Sequence, residues 1–345
     1  MASGDELEAM RLALSRAASG PARGPNPRVG CVILDETGAV AATGYHRGAG
    51  TAHAEVDALA AARTAGVGVR GGTAVVTLEP CAHTGRTGPC TQALIEAGIA
   101  RVVVAATDPN PLAAGGAAVL REAGLDVEVG VLADDAVALN HRWTAALVRG
   151  RPFVTWKFAA TLDGRSAASD GTSRWITGSA ARADVHSRRA QADAILVGTG
   201  TVITDDPHLT VRDATGRPVG PQPLRVVLGE RPIPATARVR DDAADTMLIT
   251  HRDPAQALAE LHEREVRQVW LEGGPTVAAA FWRAGLVDEV LAYLAPALLG
   301  AGALAVADLG VTTIDRAYRL VPTDVRRIGD DVLVVATPGR TDPHA

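Results

Sequence analysis

A chain of 345 residues has room for two ordinary domains, each with its own core. Hydrophobic residues make up 47% of it and aromatics only 3%, so the cores are expected to be aliphatic, with alanine-rich helices packed closely on sheets. A formal charge of −5 and a pI near 6.0 argue against a large nucleic-acid footprint, which would need a basic face.

The opening stretch, MASGDELEAMRLALSRAASG, has acidic residues where a signal peptide needs basic ones, and its apolar positions recur at helical spacing. It predicts a helix over 5–18 and no targeting segment. Nowhere do eighteen apolar residues run uninterrupted, so no membrane partner is expected. Three cysteines give no disulfide framework, and a reducing, cytoplasmic setting follows as an expectation. Next come a Gly/Pro-rich loop, GPARGPNPRVG, a strand, VGCVILD, and its hairpin partner, AVAATGYH. Cys31 in that strand reads as a small buried hydrophobe. Asn26, an amide beside Pro27, either makes a turn or meets a ligand, and the residues alone leave both open.

From His53 to Cys90 the chain turns to chemistry. His53 and Glu55 begin the alanine-rich segment AEVDALAAARTAG, which predicts a helix ending at Gly66 with both residues in its first turn. Side chains tilt toward a helix N-terminus, so both can reach a point just beyond that end. After the strand TAVVTLE, Cys81 begins a turn, and Pro89-Cys90 open a second helix, CTQALIEAGI, whose N-terminus stabilises negative sulfur. One imidazole and two thiolates suit zinc. Zinc with three protein ligands keeps its fourth position for water and lowers that water's pKa to about 7. Glu55 is then left as the catalytic proton carrier, and the order H-x-E, P-C and a second Cys is that of zinc nucleobase deaminases. A structural zinc would need a fourth protein ligand, for which His83 is the nearby candidate; beside Arg86 it reads better as a pocket wall.

Eight residues separate the cysteines, where nucleobase deaminases have two. With PCAHTGRTGPC, NPRVG at Asn26–Gly30 and GYHRGAGTAHAE at Gly44–Glu55, the chain resembles the bifunctional deaminase/reductase family of riboflavin biosynthesis. The resemblance implies that Asn26 touches a pyrimidine.

Further on, the strand RVVVAATDPNP, the helix AAVLREAG and the strand DVEVGVL extend a three-layer α/β/α sheet, which the resemblance implies is cytidine-deaminase-like. A closing helix over 134–149 leads to Gly150-Arg151-Pro152, which sets the expected boundary between domains 1–149 and 150–345. The second half predicts strands at FVTWKFAAT, AILVG, LRVVLG, MLIT and VRQVWLEG, helices at SAARADVHSRRAQ and PAQALAELHER, and a loop over 199–212. The Rossmann fingerprint fails, because Gly198 and Gly200 are followed by Ile203 at the third position. Gly273 and Gly274, between a strand and a helix that opens on Pro275, give a candidate pyrophosphate site. The apolar segment VDEVLAYLAPALLG fits either core or a homo-oligomer interface.

Together TLDGR at Thr161, SRWIT at Ser173, GTGTVITDDPHLTVR at Gly198 and LEGGPT at Leu271 resemble the reductase half of the same family, a dihydrofolate-reductase-like α/β domain using NADPH. The resemblance puts Ala159, Trp175, Thr201, Asp205, Gly274, Pro275, Thr276, Val277, Ala278, Ala279 and Ala280 at the dinucleotide. It puts Ser173, Arg189, Leu209, Arg212 and Glu272 at a phosphoribosylamino-pyrimidine. Arg189 and Arg212 suit its phosphate by their planar forks, and Lys157 with Asp205 is a candidate pair near the ribose. A cytidine or tRNA-adenosine deaminase with an unrelated second domain is the rival enzyme, and a zinc-stapled binding protein the rival of another class.

Overall fold

The structure is a computed structural model that describes residues 1–83 and 88–339. The chain folds as two compact units, Met1–Gly150 and Arg151–Ala345.

In the first unit α1 (Gly4–Ala18) starts where the Ser3 hydroxyl accepts from the Glu6 amide and the Glu6 carboxylate accepts from the Ser3 amide, a reciprocal cap. Then follow β1 (Gly30–Leu34), β2 (Val40–Tyr45), α2 (Ala54–Ala65), β3 (Thr73–Leu78), α3 (Cys90–Ala97), β4 (Arg101–Ala106), α4 (Gly116–Glu122), β5 (Asp126–Val129) and α5 (Ala133–Arg149). The sheet order is β2-β1-β3-β4-β5, with β1 antiparallel to both neighbours and β3, β4 and β5 parallel. Strand alternation sends Cys31 and Ile33 to one face with α2, α3 and α4, and Val32 and Leu34 to the other with α1. Both faces are covered, giving three layers. Each fully buried Leu, Ile or Val contributes ~1.5–3 kcal/mol, so the sheet holds the site loops from both sides. His53 is the N-cap residue of α2, in extended conformation, one position before the helical turn the sequence predicts for it.

The second unit runs β6 (Phe153–Thr161), α6 (Ser179–Arg189), β7 (Ala194–Gly198), α7 (Thr199–Asp205), β8 (Leu224–Leu228), β9 (Thr246–Ile249), α8 (Pro254–Glu263), β10 (Gln268–Leu271), α9 (Pro275–Arg283), β11 (Glu289–Ala295), β12 (Leu320–Ile328) and β13 (Asp331–Pro338). Its sheet order is β12-β13-β11-β6-β10-β7-β8-β9, parallel from β11 to β9 with an antiparallel hairpin at the other edge. Helices α8 and α9 pack on one face through Leu258, Leu261, Phe281 and Trp282, and α6 and α7 on the other through Val185 and Val202.

Two expectations change. The loop over 199–212 begins as a helix, α7, because Val202 is buried beneath it and tertiary packing overrides the weak helix propensity of a Thr/Gly/Ile stretch. The hairpin of β12 and β13 was not expected from the sequence. Its turn is the two-residue Gly329-Asp330 connection, where glycine supplies φ +62°. As for VDEVLAYLAPALLG, its first half is core, with Leu291 and Tyr293 fully buried in β11, while Leu298 and Leu299 are exposed.

Candidate active sites

In the first unit three elements converge. The α2 N-terminus presents His53, the strap after β3 presents Cys81, and α3 begins with Cys90. His53 Nδ1 lies 3.2 Å from Cys90 Sγ and 3.5 Å from Cys81 Sγ, and all three donor atoms fall within 4.8 Å of one another. Bonds of ~2.0–2.1 Å to nitrogen and ~2.3 Å to sulfur at tetrahedral angles put such atoms about 3.5 Å apart, so the set fits a zinc ion. Among the described residues the cluster has these three members and His83 is not one of them. His83 is exposed and its charge acts on Asp108. Arg86 lies outside the described residues.

The electrostatics agree with a cation. A hydrogen bond from Cys90 and the His53 ring bring the Cys81 thiol down to about 4, while the same bond with Cys81, together with burial, pushes Cys90 up. Two sulfurs sharing one proton behave this way, and a metal ion held there would replace that proton. The Cys90 amide, at the start of α3, donates to Cys81 Sγ at 3.4 Å. Glu55 is 3% exposed and beside Cys90; burial holds its carboxyl above the ordinary range.

The surrounding loops are tied to the sheet. Glu79 accepts from the Asp108 amide at 3.2 Å and the Ala117 amide at 2.9 Å, so one buried carboxylate fixes both ends of the loop after β4. Gly116 is required at the start of α4, since a Cβ there would stand 1.7 Å from the Pro80 carbonyl oxygen, next to Cys81. Asn26 meets His46, a residue that no sequence motif singled out. His46 Nδ1 is 3.0 Å from the Ala52 carbonyl, which can only accept, so Nε2 is the acceptor for the Asn26 amide N–H at 2.9 Å. Burial lowers the His46 pKa and keeps the ring neutral, edge-on to His53 at 5.4 Å. The signal was His46 within GYHRGAGTAHAE.

In the second unit the C-terminal ends of β6, β7, β8 and β10 form the other site, where parallel sheets bind ligands. The Gly274 amide donates to Thr201 Oγ1 at 3.0 Å, joining the α9 and α7 turns. Thr201, Gly274, Thr276, Val277 and Ala280 line a cavity of about 490 Å³. Pro275 opens α9, and Ala278 and Ala279 are buried in the core beneath it. Ala159 lies in β6, partly buried against the α6 face. Trp175 is exposed and stacks on Arg182 at 4.4 Å; Ser173 is exposed on the same loop. Asp205 ends α7, where Arg174 donates to its carbonyl at 3.0 Å; burial raises its carboxyl pKa.

Arg189 Nε and Nη2 reach the two Glu272 oxygens at 3.1 and 2.5 Å, and Nη1 donates to the Thr210 carbonyl. The fork expected to face a phosphate is therefore committed to a carboxylate. Among the described residues the Arg212 Nε is buried without a hydrogen-bond partner, and its amide is 3.3 Å from His186 Nδ1. Burial and the Arg189 and Arg212 charges bring His186 down to about 4. Lys157 interacts with Glu272 and Arg189 rather than with Asp205, and burial lowers its pKa. Leu209 is buried at φ +51°, a strained backbone for a branched side chain.

Residues 4–106 match the cytidine and deoxycytidylate deaminase zinc-binding region, and residues 152–334 match the RibD C-terminal domain. The riboflavin biosynthesis protein RibD of Mycobacterium tuberculosis (strain ATCC 25618 / H37Rv) is 51% identical over 311 residues, covering 90% of each chain. That of Escherichia coli (strain K12) is 41% identical over 342 residues, covering 89% of this chain and 92% of its own. The crystal structure of a diaminohydroxyphosphoribosylaminopyrimidine deaminase/5-amino-6-(5-phosphoribosylamino)uracil reductase from Thermotoga maritima superposes with a TM-score of 0.88 at 33% identity, covering 97% of this chain and 99% of that one. With relatives this similar over nearly its full length and both halves matched, the chain belongs to the RibD family, bifunctional enzymes of riboflavin biosynthesis that join a zinc-binding deaminase domain to a reductase domain.

Proposed function

We propose that the first unit deaminates 2,5-diamino-6-(5-phosphoribosylamino)pyrimidin-4-one by hydrolysis, and that the second reduces the ribosyl side chain of the product with NADPH, giving 5-amino-6-(5-phosphoribitylamino)uracil. One observation carries the reading: three donor atoms at tetrahedral-edge spacing with an unligated, buried carboxylate beside them. Zinc held by His53, Cys81 and Cys90 supplies the Lewis acidity that makes water a nucleophile at neutral pH. Glu55 takes the proton from that water as the C–O bond forms, and returns it to the amine nitrogen as the C–N bond breaks and ammonia leaves. Asn26, its amide fixed by His46, orients the pyrimidine. A closed structural site would leave Glu55 without a use.

In the second unit NADPH supplies the hydride, which goes to C1 of the opened ribosyl chain. The glycine turn at Gly274, tied to Thr201, brings the α9 N-terminus to the pyrophosphate. Arg189 holds Glu272 in place, Glu272 and Lys157 face the sugar, and Arg212 takes the phosphate. We place the enzyme in the cytoplasm, where its three free cysteines stay reduced; among the described residues no helix is long and apolar enough to cross a membrane.

A coupled assay on the purified chain tests the whole reading, following ammonia release and then NADPH oxidation with the phosphoribosylamino-pyrimidine. Ammonia from cytidine or tRNA, with none from the pyrimidine, would overturn it.

A further inference from the structure

The cavity of the second unit continues beyond the glycine turn. Past Thr201 and Gly274 its walls are Leu228, Gly229, Glu230 and Arg231 after β8, Arg252 after β9, and Arg283 at the end of α9. Strand order sets a direction. Substrate-facing Lys157 and Glu272 belong to β6 and the end of β10, the pyrophosphate turn lies between β10 and β7, and β8 and β9 follow outward. From the turn to the gap between β8 and β9 is two strand spacings, ~10 Å. A dinucleotide whose nicotinamide faces the substrate therefore lays its adenosine end over β8 and β9.

That end is charged in an uneven way. Three guanidiniums and one carboxylate line it. Arg252 Nε is 3.0 Å from Glu230 Oε2, a pair with side chains 71% and 57% exposed, weak enough for a stronger anion to recruit the arginine. Arg231 makes no ion pair among the described residues. Its Nη2 lies 2.7 Å from where a Cβ on Gly200 would stand, so the side chain folds back over the α7 turn toward the cavity. Arg283 bonds the neutral Asp308 carbonyl at 2.8 Å rather than a carboxylate. A lone acid at this place would accept from a free ribose 2′-hydroxyl and favour NADH; here the acid is already tied to a guanidinium.

We propose that Arg231 and Arg252 bind the 2′-phosphate of the dinucleotide and so select NADPH over NADH. The assignment rests on reading this unit as a dinucleotide-dependent reductase. Planar guanidiniums match phosphate oxygens in two-point fashion, whereas an unphosphorylated ribose offers them only weak acceptors.

Calorimetric titration of the full-length chain with 2′,5′-ADP and with 5′-AMP isolates the phosphate. Arg231→Met and Arg252→Met are each expected to weaken 2′,5′-ADP binding about tenfold, and together about a hundredfold. Binding of 5′-AMP should stay within about twofold in all three, which also shows that the cavity is folded. In turnover the double variant should lower the NADPH-to-NADH ratio of kcat/KM by about the same hundredfold, while Glu230→Gln should leave that ratio at or above the wild-type value. Unchanged 2′,5′-ADP affinity in the double variant overturns the assignment, as does an equal loss of 5′-AMP. A loss of NADH turnover in Glu230→Gln would make Glu230 the reader of a free hydroxyl and also overturn it. Should the wild type bind neither nucleotide and oxidise neither cofactor, the reductase reading itself falls.

Discussion

Replacing Glu272 by glutamine probes the polar centre of the reductase unit. The carboxylate and Arg189 are 8% and 14% exposed at their side chains, and Glu272 also accepts from Trp270 Nε1 at 2.8 Å. Removing one charge of a buried pair costs ~3–5 kcal/mol, because the partner stays buried without a counter-ion. Glutamine keeps an oxygen for one donor, so the lower end applies, about 3 kcal/mol. With a urea slope of ~2–3 kcal/mol/M, the unfolding midpoint should fall by roughly 1 M or more. Tryptophan fluorescence reads this unit selectively, since of the five tryptophans only Trp143 lies in the other. The sign of the pH dependence follows from the shift. Arg189 and Lys157 outweigh burial and lower the Glu272 carboxyl, so its contribution is complete above its ordinary value and is lost as pH falls through the lowered one. Wild type and variant should differ fully at pH 7 and converge in acid below about pH 4. A midpoint shift equivalent to under about 1 kcal/mol at pH 7, or a difference that persists unchanged in acid, would refute the idea that this pair is buried and charged.

Glu55→Gln should cut ammonia release by ~10²–10⁴-fold while one zinc per chain remains by atomic emission; retained turnover would remove the proton-carrier role. Cys90→Ser should lose most of its zinc on dialysis against a chelator, since the hydroxyl is a far poorer ligand; full retention would show the metal is held elsewhere. Gly116→Ala forces a Cβ against the Pro80 carbonyl, and the strap carrying Cys81 must move. A loss of ~1–3 kcal/mol in stability with weakened zinc affinity is expected, and wild-type values in both would mean that the contact relaxes freely.

How much of this was legible in the sequence depended on how far apart the interacting residues lie. His53 and Glu55 share one helix start, and Cys81 and Cys90 flank one loop, so their chemistry shows in short motifs. The helix and strand periodicities of the first unit were readable because its central strands β1, β3 and β4 are buried on both faces and several of its helices end in glycine, as at Gly66, Gly98 and Gly150. By contrast β12 is mostly exposed along its length and shows little apolar alternation, so only the Gly-Asp turn betrays it. Helix α7 is held by the burial of Val202, which no local propensity encodes.

The polar partners were the least visible, and they change what the named residues can do. Arg189 and Glu272 are 83 positions apart, and each alone reads as a ligand for substrate. Joined, they become a single neutral clamp that also fixes Trp270, and Lys157 then faces a carboxylate already shared with an arginine. Such a clamp stiffens the end of β10 against α6 without needing a substrate. Arg212 keeps a buried Nε with no hydrogen-bond partner among the described residues, which is costly to leave that way. Asn26 and His46 obey the same logic in the first unit. The Ala52 carbonyl sets the imidazole tautomer, the tautomer sets the amide, and the amide is thereby held in one orientation.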